Sequence, residues 1–398
     1  MPDRSSRVVE LAERAVREAF AAHPDMARSA GAHDEYDGVI GDAGEPAVRR
    51  RLGEVEALGR DLSAVEVHGL DADARADLVT AAALVEAERF HLAKLRDPWQ
   101  DPRHGLAAAD VFTYVARPYA PAAERAASLC RHLEQLPEYL ETAAALLESE
   151  LPAGPLRIAL EEARGHAAFY RDEVRSTLGP FDDAGLERRL STALDTGATA
   201  CEGFAERLSA LHGREDLVLG PDRLCDMLRA HECQDETPTG LRRRAEDELD
   251  RLSTLAVEIA GKAGFKGDPA AAFTAIERDH PGAAELVDVA RSTLSRLRDF
   301  WIGTGAVGVD PSVSCSVRRS PAFMSWVTAA YSNPGPLEPP GLPHYYLIIH
   351  DEDVIKHYLQ NHFDQAWNDH QNAKDLDIFA EDTPPGPQPQ VAPDATAN

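Results

Sequence analysis

The sequence predicts an all-α protein, an elongated bundle of long amphipathic helices around a cleft, with at most a small β ribbon near 307–349. Apolar residues recur at spacings of three and four through most of the 398 residues, with charged residues between them. This period is that of one face of an α-helix. Alternation typical of strands is scarce, and its best examples run from Val307 to Val317 and from Tyr345 to Ile349.

The clearest helix is predicted between Pro121 and Leu151. Its apolar positions form one stripe, with charged residues opposite; they are Leu129, Leu133, Leu136, Leu140, Ala143 and Leu147. A second stripe runs from Leu241 to Ile259, after a predicted N-cap at Thr237 and a proline that suits the first helical position. Cys130 lies on the first stripe, where a buried free cysteine packs as a small apolar side chain.

Further helices are predicted, in chain order, at 5–22, 47–62, 71–96, 154–178, 184–212, 220–230, 269–278, 281–302 and 351–376. Glycine and proline mark the joints between them, and we find no fixed-period repeat of the kind that builds a solenoid. We therefore expect a helical domain over 1–302, an irregular cleft-wall segment over 303–350 and a C-terminal helix over 351–380. The segment 381–398 is rich in proline and poor in apolar residues, so we expect it to be disordered.

The charge of the chain argues against two classes of partner. There are 68 acidic and 41 basic residues, a formal net charge of -27. A nucleic acid backbone or an anionic membrane surface would be repelled. The first residues are charged every few positions and contain no apolar run long enough for a signal peptide or a membrane span. We therefore expect a cytoplasmic protein, with its five cysteines reduced.

Residue types that bind metals cluster late in the chain. His350, Asp351, Glu352 and Asp353 are followed by His357. Asp353 and His357 have the four-residue spacing that suits two ligands on one helix. His350 and His357 would be about 10 Å apart on an unbroken helix, too far for one zinc ion unless His350 lies in the preceding extended segment. The alternative is a solvated helix start, where the three carboxylates are favoured by the helix dipole.

Several phrases, in their order along the chain, resemble a bacterial helical family filed as domain of unknown function eight-eight-five. They cover roughly residues 30 to 346 and are Gly31-Ala-His-Asp-Glu-Tyr-Asp37, the stretch from Arg117-Pro-Tyr119 to Leu140, Leu219 to Leu228, Cys315 to Phe323, Ala329-Ala-Tyr331 and Pro334-Gly-Pro336. Members of that family are similar to carboxypeptidase Taq and are regarded as zinc metallopeptidases. The resemblance therefore implies a helical fold, a zinc cofactor and hydrolysis of peptide bonds.

The zinc motif of that family, HExxPGHxxQ, follows shortly after such an Ala-Ala-Tyr and Pro-Gly-Pro region. Here His350 matches its first histidine, and His357 matches the second if one residue is inserted. Asp351 replaces the catalytic glutamate, the Pro-Gly pair is absent, and so is the downstream acidic ligand. The resemblance implies His350 and His357 as zinc ligands, with Asp351 or Glu352 as the base that activates bound water. Asp353 is a third ligand candidate by spacing.

Other interpretations of these histidines stay open. The tail from Ile348 to Trp367 is also similar to the closing helix of phospholipase D-like domains, where that helix is a packing element; the chain has no HxKxxxxD motif, so no phosphodiesterase activity follows. His231 begins a zincin-like phrase but has an aspartate four positions on. His166, one turn before a tyrosine, has the pattern of a partly buried packing histidine.

Two functions follow from these patterns. The first is a metallopeptidase-like helical protein that has lost catalysis and binds a peptide, a small molecule or a partner in an inherited cleft. The missing glutamate and the missing acidic ligand favour it. The alternative is an active zinc-dependent peptidase, in which a metal-activated water hydrolyses a peptide bond.

Overall fold

Helices dominate the computed structural model, which describes residues 4–215, 219–278, 281–282, 284–309, 315–319, 329–339, 342 and 344–348. The all-α prediction is confirmed. The helices before residue 120 are α1 (Arg4–Ala22), α2 (Pro24–Ala30), α3 (His33–Tyr36), α4 (Glu45–Ser63), α5 (Ala72–Arg89), α6 (Asp97–Gln100), α7 (Pro102–Leu106) and α8 (Phe112–Ala116). Those after it are α9 (Ala122–Leu146), α10 (Ala153–Asp172), α11 (Val174–Leu178), α12 (Ala184–Ser209), α13 (Pro221–Glu232), α14 (Pro238–Lys262), α15 (Pro269–Glu277) and α16 (Leu286–Thr304).

Two apolar cores hold the first two hundred residues. The helices α1, α4 and α5 bury a smaller core that includes Leu11, Leu58 and Val85. The larger core lies where α12 packs between α9 and α10. The predicted stripe of α9 is its centre, because Leu129, Leu133 and Leu136 are fully buried there, as is Cys130. Each such leucine contributes roughly 1.5–3 kcal/mol of burial free energy.

Strands are few and short. Within the described residues, β1 (Glu150–Pro152) pairs in parallel with β2 (His212–Arg214), a pairing that the sequence pattern did not predict. Three others form a sheet in the order β3 (Cys315–Arg319), β5 (His344–Ile348) and β4 (Ala329–Ser332). The strand β5 is parallel to β3 and antiparallel to β4. This sheet falls within the span predicted for a β ribbon, although its first strand begins later than Val307.

Several predicted helices end at different residues. The helix predicted over 121–151 stops at Leu146, since Leu147 is extended and the Glu148 amide donates to the Trp99 carbonyl instead. The stretch 71–96 contains α5 and then a π-helical segment, Phe90–Leu95. The stretch 154–178 is divided at Glu173, between α10 and α11. The predicted C-terminal helix and the tail after it lie outside the described residues.

The helix α14 forms as predicted, but its apolar stripe is not buried by the described residues. Thr237 is the N-cap, and its Oγ1 accepts a hydrogen bond of 3.0 Å from the Gly240 amide. Leu249 and Ile259 are nevertheless 56% and 54% exposed. Helical periodicity therefore predicted the element correctly, but it did not determine what covers the apolar face.

Candidate functional site

The sequence-predicted metal site lies outside the described residues. This holds for the predicted ligands His350, Asp353 and His357 and for the predicted bases Asp351 and Glu352. Their positions relative to one another therefore stay predictions. In the part of the chain that the structure does describe, no group of three or more histidine, cysteine, aspartate or glutamate side chains is arranged to hold a metal ion.

The two other histidines considered from sequence lie in helices. His231 is in the last turn of α13, with its ring centroid 4.9 Å from that of His91. Asp235, at the zincin-like spacing, forms an ion pair with Arg229 instead. His166 lies in α10 beside Tyr170, and burial lowers the pKa of its imidazole. This agrees with a packing role for His166.

Two of the phrases noted in the sequence meet in one place, together with the residues just after a third. The phrase that starts at Gly31 contributes His33 and Asp37, the phrase that starts at Arg117 contributes Tyr119, and the segment after Pro334 contributes Glu338. His33 lies in α3, Tyr119 in the connection between α8 and α9, and Glu338 beyond β4. We call these four side chains the His33 cluster.

The imidazole of His33 is enclosed on three sides. Its Nδ1 lies 3.0 Å from Asp37 Oδ1, and its Nε2 lies 3.1 Å from Glu338 Oε1. The first contact is a hydrogen bond, whereas the second has the distance of an ion pair without hydrogen-bond geometry. The Tyr119 ring stacks on the imidazole, with centroids 3.4 Å apart and planes within 1°. An imidazolium over an aromatic face gains cation–π attraction.

Asp37 fixes the orientation of both rings. Its Oδ1 faces His33, and its Oδ2 accepts a 2.7 Å hydrogen bond from the Tyr119 hydroxyl. Local geometry explains the first contact, because the residue four after His33 lies on the same side of the helical turn. The buried guanidinium of Arg28 secures the turn that follows α3, since it donates to the Tyr36 and Val39 carbonyls at 3.2 and 2.7 Å.

Two glycines allow the segment 334–338 to lie against the end of α2. Gly31 ends that helix in the left-handed region, at φ 96°, where glycine is favoured. A Cβ at Gly31 would lie 2.5 Å from the Glu338 nitrogen, and a Cβ at Gly335 would overlap the Ala30 backbone. The Leu337 amide donates to the Ala30 carbonyl at 2.8 Å. The close backbone approach brings Glu338 to His33.

The carboxylates around His33 favour its charged form. Burial lowers the pKa of the imidazole, but the interactions with Asp37 and Glu338 outweigh burial and raise that pKa above its ordinary 6.5. Burial, together with the hydrogen bond to Asp37, raises the pKa of Tyr119. A carboxylate lies at each ring nitrogen, so neither nitrogen is open to a substrate proton, and the arrangement suits ion pairing better than proton transfer.

Two clefts open beside the His33 cluster. The polar cleft, about 530 Å³, is bordered by His33, Tyr119 and the α9 residues Glu124, Arg125 and Arg131. The apolar cleft, about 650 Å³, lies between α1 and α5 and is lined chiefly by apolar side chains: Val9, Ala12, Ala15, Val16, Phe20, Ala81 and Leu84. Ala32, Glu35 and Leu337 border both clefts. The two clefts are therefore neighbours, with Leu337 between them.

Sequence reasoning did not identify the His33 cluster as a site. The four-residue spacing of His33 and Asp37 was a usable local signal, because it brings an imidazole and a carboxylate together on one helical turn. No local pattern indicates Glu338, since only the fold brings the segment 334–338 to α3. The phrases were noted for their resemblance, and their common location is new information from the structure.

Comparison with known proteins gives a family and a fold. Residues 24–374 match the family model described as "Bacterial protein of unknown function (DUF885)". One similar solved structure is that of a candidate lipoprotein of unknown function from Shewanella oneidensis, with a TM-score of 0.65 and 18% identity over 89% of this chain and 67% of that one. Another is a candidate lipoprotein from Colwellia psychrerythraea, with a TM-score of 0.61 and 12% identity over 87% of this chain and 67% of that one. No curated protein matches the chain.

The comparisons correct one prediction. The expected cytoplasmic location is contradicted by the two similar structures, both of which are named as candidate lipoproteins. Among the described residues, no helix has the length and apolarity that crossing a membrane requires.

Proposed function

Because the chain belongs to the bacterial family of unknown function DUF885, we propose that it is a metallopeptidase-like helical protein that binds a peptide without cleaving it. The binding site is the pair of clefts beside the His33 cluster. One observation carries the proposal: Ala32, Glu35 and Leu337 border both clefts, so one ligand can occupy the two together. A peptide carries both apolar and charged groups, so it could place one kind in each cleft.

The apolar cleft supplies the contact area. Its volume of about 650 Å³ is within the range of about 300–1,000 Å³ that small-molecule sites have. Phe20 and Tyr36 meet edge to face at its wall, with ring centroids 6.0 Å apart. Burial of an apolar side chain here releases water from both surfaces.

The charges at the rim indicate which end of a peptide lies there. Glu13, Glu35 and Asp77 border the apolar cleft against a single cation, Arg17. These three carboxylates form no ion pair with the described residues. A ligand ammonium would therefore be attracted, in keeping with the net charge of -27. The proposed ligand is a short peptide with a free amino group and a neighbouring apolar side chain.

We extend the proposal to location by analogy with the two candidate lipoproteins. A place outside the cytoplasm would expose the clefts to peptides in that compartment. Their shared name supports this, at the low identity of 18% and 12%. Fractionation of cells that produce the natural protein tests it, and recovery in the cytosol alone would end the analogy.

The test of binding uses calorimetry with the unblocked tripeptide Leu-Leu-Leu and its N-acetyl derivative. Val16, 43% exposed, lines the apolar cleft, whereas Val79 on α5 is 57% exposed and lines neither cleft. We expect Val16→Arg to weaken binding at least tenfold, Val79→Arg to leave it unchanged, and acetylation to weaken it. Absence of binding to the wild-type protein, or equal loss in both variants, contradicts the proposal.

The alternative is an active zinc peptidase. In that proposal His350, His357 and Asp353 hold the ion, and Asp351 or Glu352 activates water. Its support is the resemblance of the segment to the zinc motif of the family. Metal content of the purified protein, measured by mass spectrometry with and without His357→Ala, is the test. Stoichiometric zinc that is lost in the variant would favour the peptidase, and a metal-free wild-type protein would exclude a resident zinc.

A further inference from the structure

The carboxylate of Glu338 lies between two cations in a nearly closed space. Its side chain is 1% exposed, and its Oε1 is 3.1 Å from His33 Nε2 and 3.4 Å from an Nη of Arg117. Both cationic partners are themselves largely buried. His33 lies in α3 and Arg117 directly follows α8. Their convergence on one carboxylate therefore depends on the fold.

The pairing of this carboxylate is incomplete. Glu338 Oε2, Arg117 Nε and His33 Nε2 are buried without a hydrogen-bond partner among the described residues. A guanidinium and a carboxylate can form two parallel hydrogen bonds, yet Arg117 forms one of 3.4 Å to Glu338 and donates another to the Ser29 carbonyl at 2.9 Å. Unpaired buried polar groups are costly. A carboxylate that is not tethered to the backbone of the segment 334–338 could therefore pair better with the two cations.

Among the described residues, the segment that carries Glu338 is held by two ion pairs, by the close approach at Gly31 and Gly335, and by one backbone hydrogen bond to α2. Leu337 is 59% exposed. Its amide donates a hydrogen bond to the Ala30 carbonyl, which joins the segment to the end of α2. The bond from the Glu338 amide to the Gly335 carbonyl is internal to the segment and is kept if it moves. The apolar contribution of Leu337 to holding the segment is small, because most of its surface stays in water.

We propose that His33 and Arg117 form a binding subsite for a carboxylate, which Glu338 occupies in the free protein. This inference rests on the proposed function: the carboxylate is the C-terminal group of the bound peptide. It replaces Glu338 when the segment 334–338 lifts from Gly31. The subsite adjoins the polar cleft, which His33 lines, while the rim carboxylates of the apolar cleft bind the amino end. The ligand class is therefore a short peptide with both ends free.

The subsite itself is tested with Glu338→Ala and sodium propionate, a small carboxylate with one carbon more than the group that the substitution removes. We expect propionate to raise the melting temperature of this variant saturably, by several degrees at millimolar concentrations. Propionamide and sodium chloride should not, and neither wild type nor Glu338→Ala with His33→Gln should respond. An equal response to propionamide, or no response to propionate, would overturn the subsite. If Glu338→Ala does not fold, Glu338→Gln with the same probes takes its place, with propionate expected to displace the neutral amide.

The displacement is tested separately with Leu-Leu-Leu and its C-terminal amide. We expect the free acid to bind Glu338→Ala at least tenfold more tightly than wild type, because no internal carboxylate competes, and the amide to bind both equally weakly. If acid and amide bind alike, the subsite is wrong while peptide binding stands. If no peptide binds although propionate does, the proposed function fails and the subsite remains an anion site without that ligand.

Discussion

His33 Nε2 and Glu338 Oε1 lie 3.1 Å apart, although the two residues belong to opposite ends of the described chain. This ion pair joins the start of α3 to the segment that follows β4. It also lies beside both clefts, because Leu337 precedes Glu338 and Ala32 precedes His33.

The ion pairs of His33 should weaken as pH rises. The pKa of His33 is raised in the folded protein, so the stabilisation is complete below the unfolded pKa of 6.5 and disappears as pH rises through the folded value. We expect wild type to exceed His33→Gln in melting temperature by more at pH 6 than at pH 9. Thermal unfolding across this range measures the difference. A difference in melting temperature that is constant with pH would mean that the charge of His33 does not contribute to stability.

Gly335→Ala should dislodge the segment 334–338. The added Cβ overlaps the backbone of Ala30, which cannot move aside as a flexible side chain can. We expect a cost of roughly 1–3 kcal/mol in the free energy of unfolding, together with faster proteolysis near Leu337. The control is Gly53→Ala within α4, where a Cβ meets nothing within 4 Å. There we expect a gain of roughly 0.5–1 kcal/mol. Equal effects at the two sites would refute the close approach.

Glu88 should make the protein sensitive to acid. Arg51 donates to both its carboxylate oxygens at 2.7 Å, and His23 Nε2 lies 3.1 Å away. Burial acts to raise the pKa of Glu88, but these partners lower it to about 2. The stabilisation is therefore present above pH 4.5 and is lost as pH falls towards 2.

We expect Glu88→Gln to lower the free energy of unfolding by about 2–4 kcal/mol at pH 7, because it leaves a buried guanidinium poorly paired. Denaturant unfolding at pH 7 and pH 3 measures this, and the deficit should be smaller at pH 3. The matched control is Glu202→Gln, whose partner Arg171 is exposed on the surface. That variant should unfold like wild type. A similar loss in both variants would show that burial of the pair has no consequence.

The apolar stripes of α9 and α14 should contribute differently to the free energy of unfolding. Leu133 of α9 is fully buried, whereas Leu252 of α14 is 45% exposed. We expect Leu133→Ala to cost roughly 2–5 kcal/mol and Leu252→Ala less than about 1 kcal/mol. Denaturant unfolding of both variants is the measurement. A large loss at Leu252 would indicate that α14 is covered in solution.

This contrast shows what periodicity can and cannot predict. The stripes of α9 and α14 both have spacings of three and four residues, so the sequence predicted both helices correctly. Burial depends on a partner surface, and the spacing of apolar residues within one helix does not specify that partner. The stripe of α9 is buried in the core that α9 shares with α12, while most of the stripe of α14 stays exposed among the described residues.

The candidate site shows the same limit. His33 and Asp37 are four residues apart, so their contact was accessible from local geometry. Glu338 comes from a distant segment, and its place depends on the fit of two glycines at α2. His350 and His357 were predicted as ligands from the family motif, and they lie outside the described part of the chain. Sequence reasoning thus predicted the helices well, and its metal site at residues 350–357 stays a prediction.

Hydrogen exchange at the Leu337 amide tests the central claim, that the His33 and Glu338 pair holds the segment 334–338 in place. This amide donates to the Ala30 carbonyl, so its exchange rate reports opening of the segment. We predict about tenfold faster exchange in His33→Gln and in Glu338→Gln, about 1.4 kcal/mol, with no further increase in the double variant. Unchanged exchange in all three variants would contradict the account.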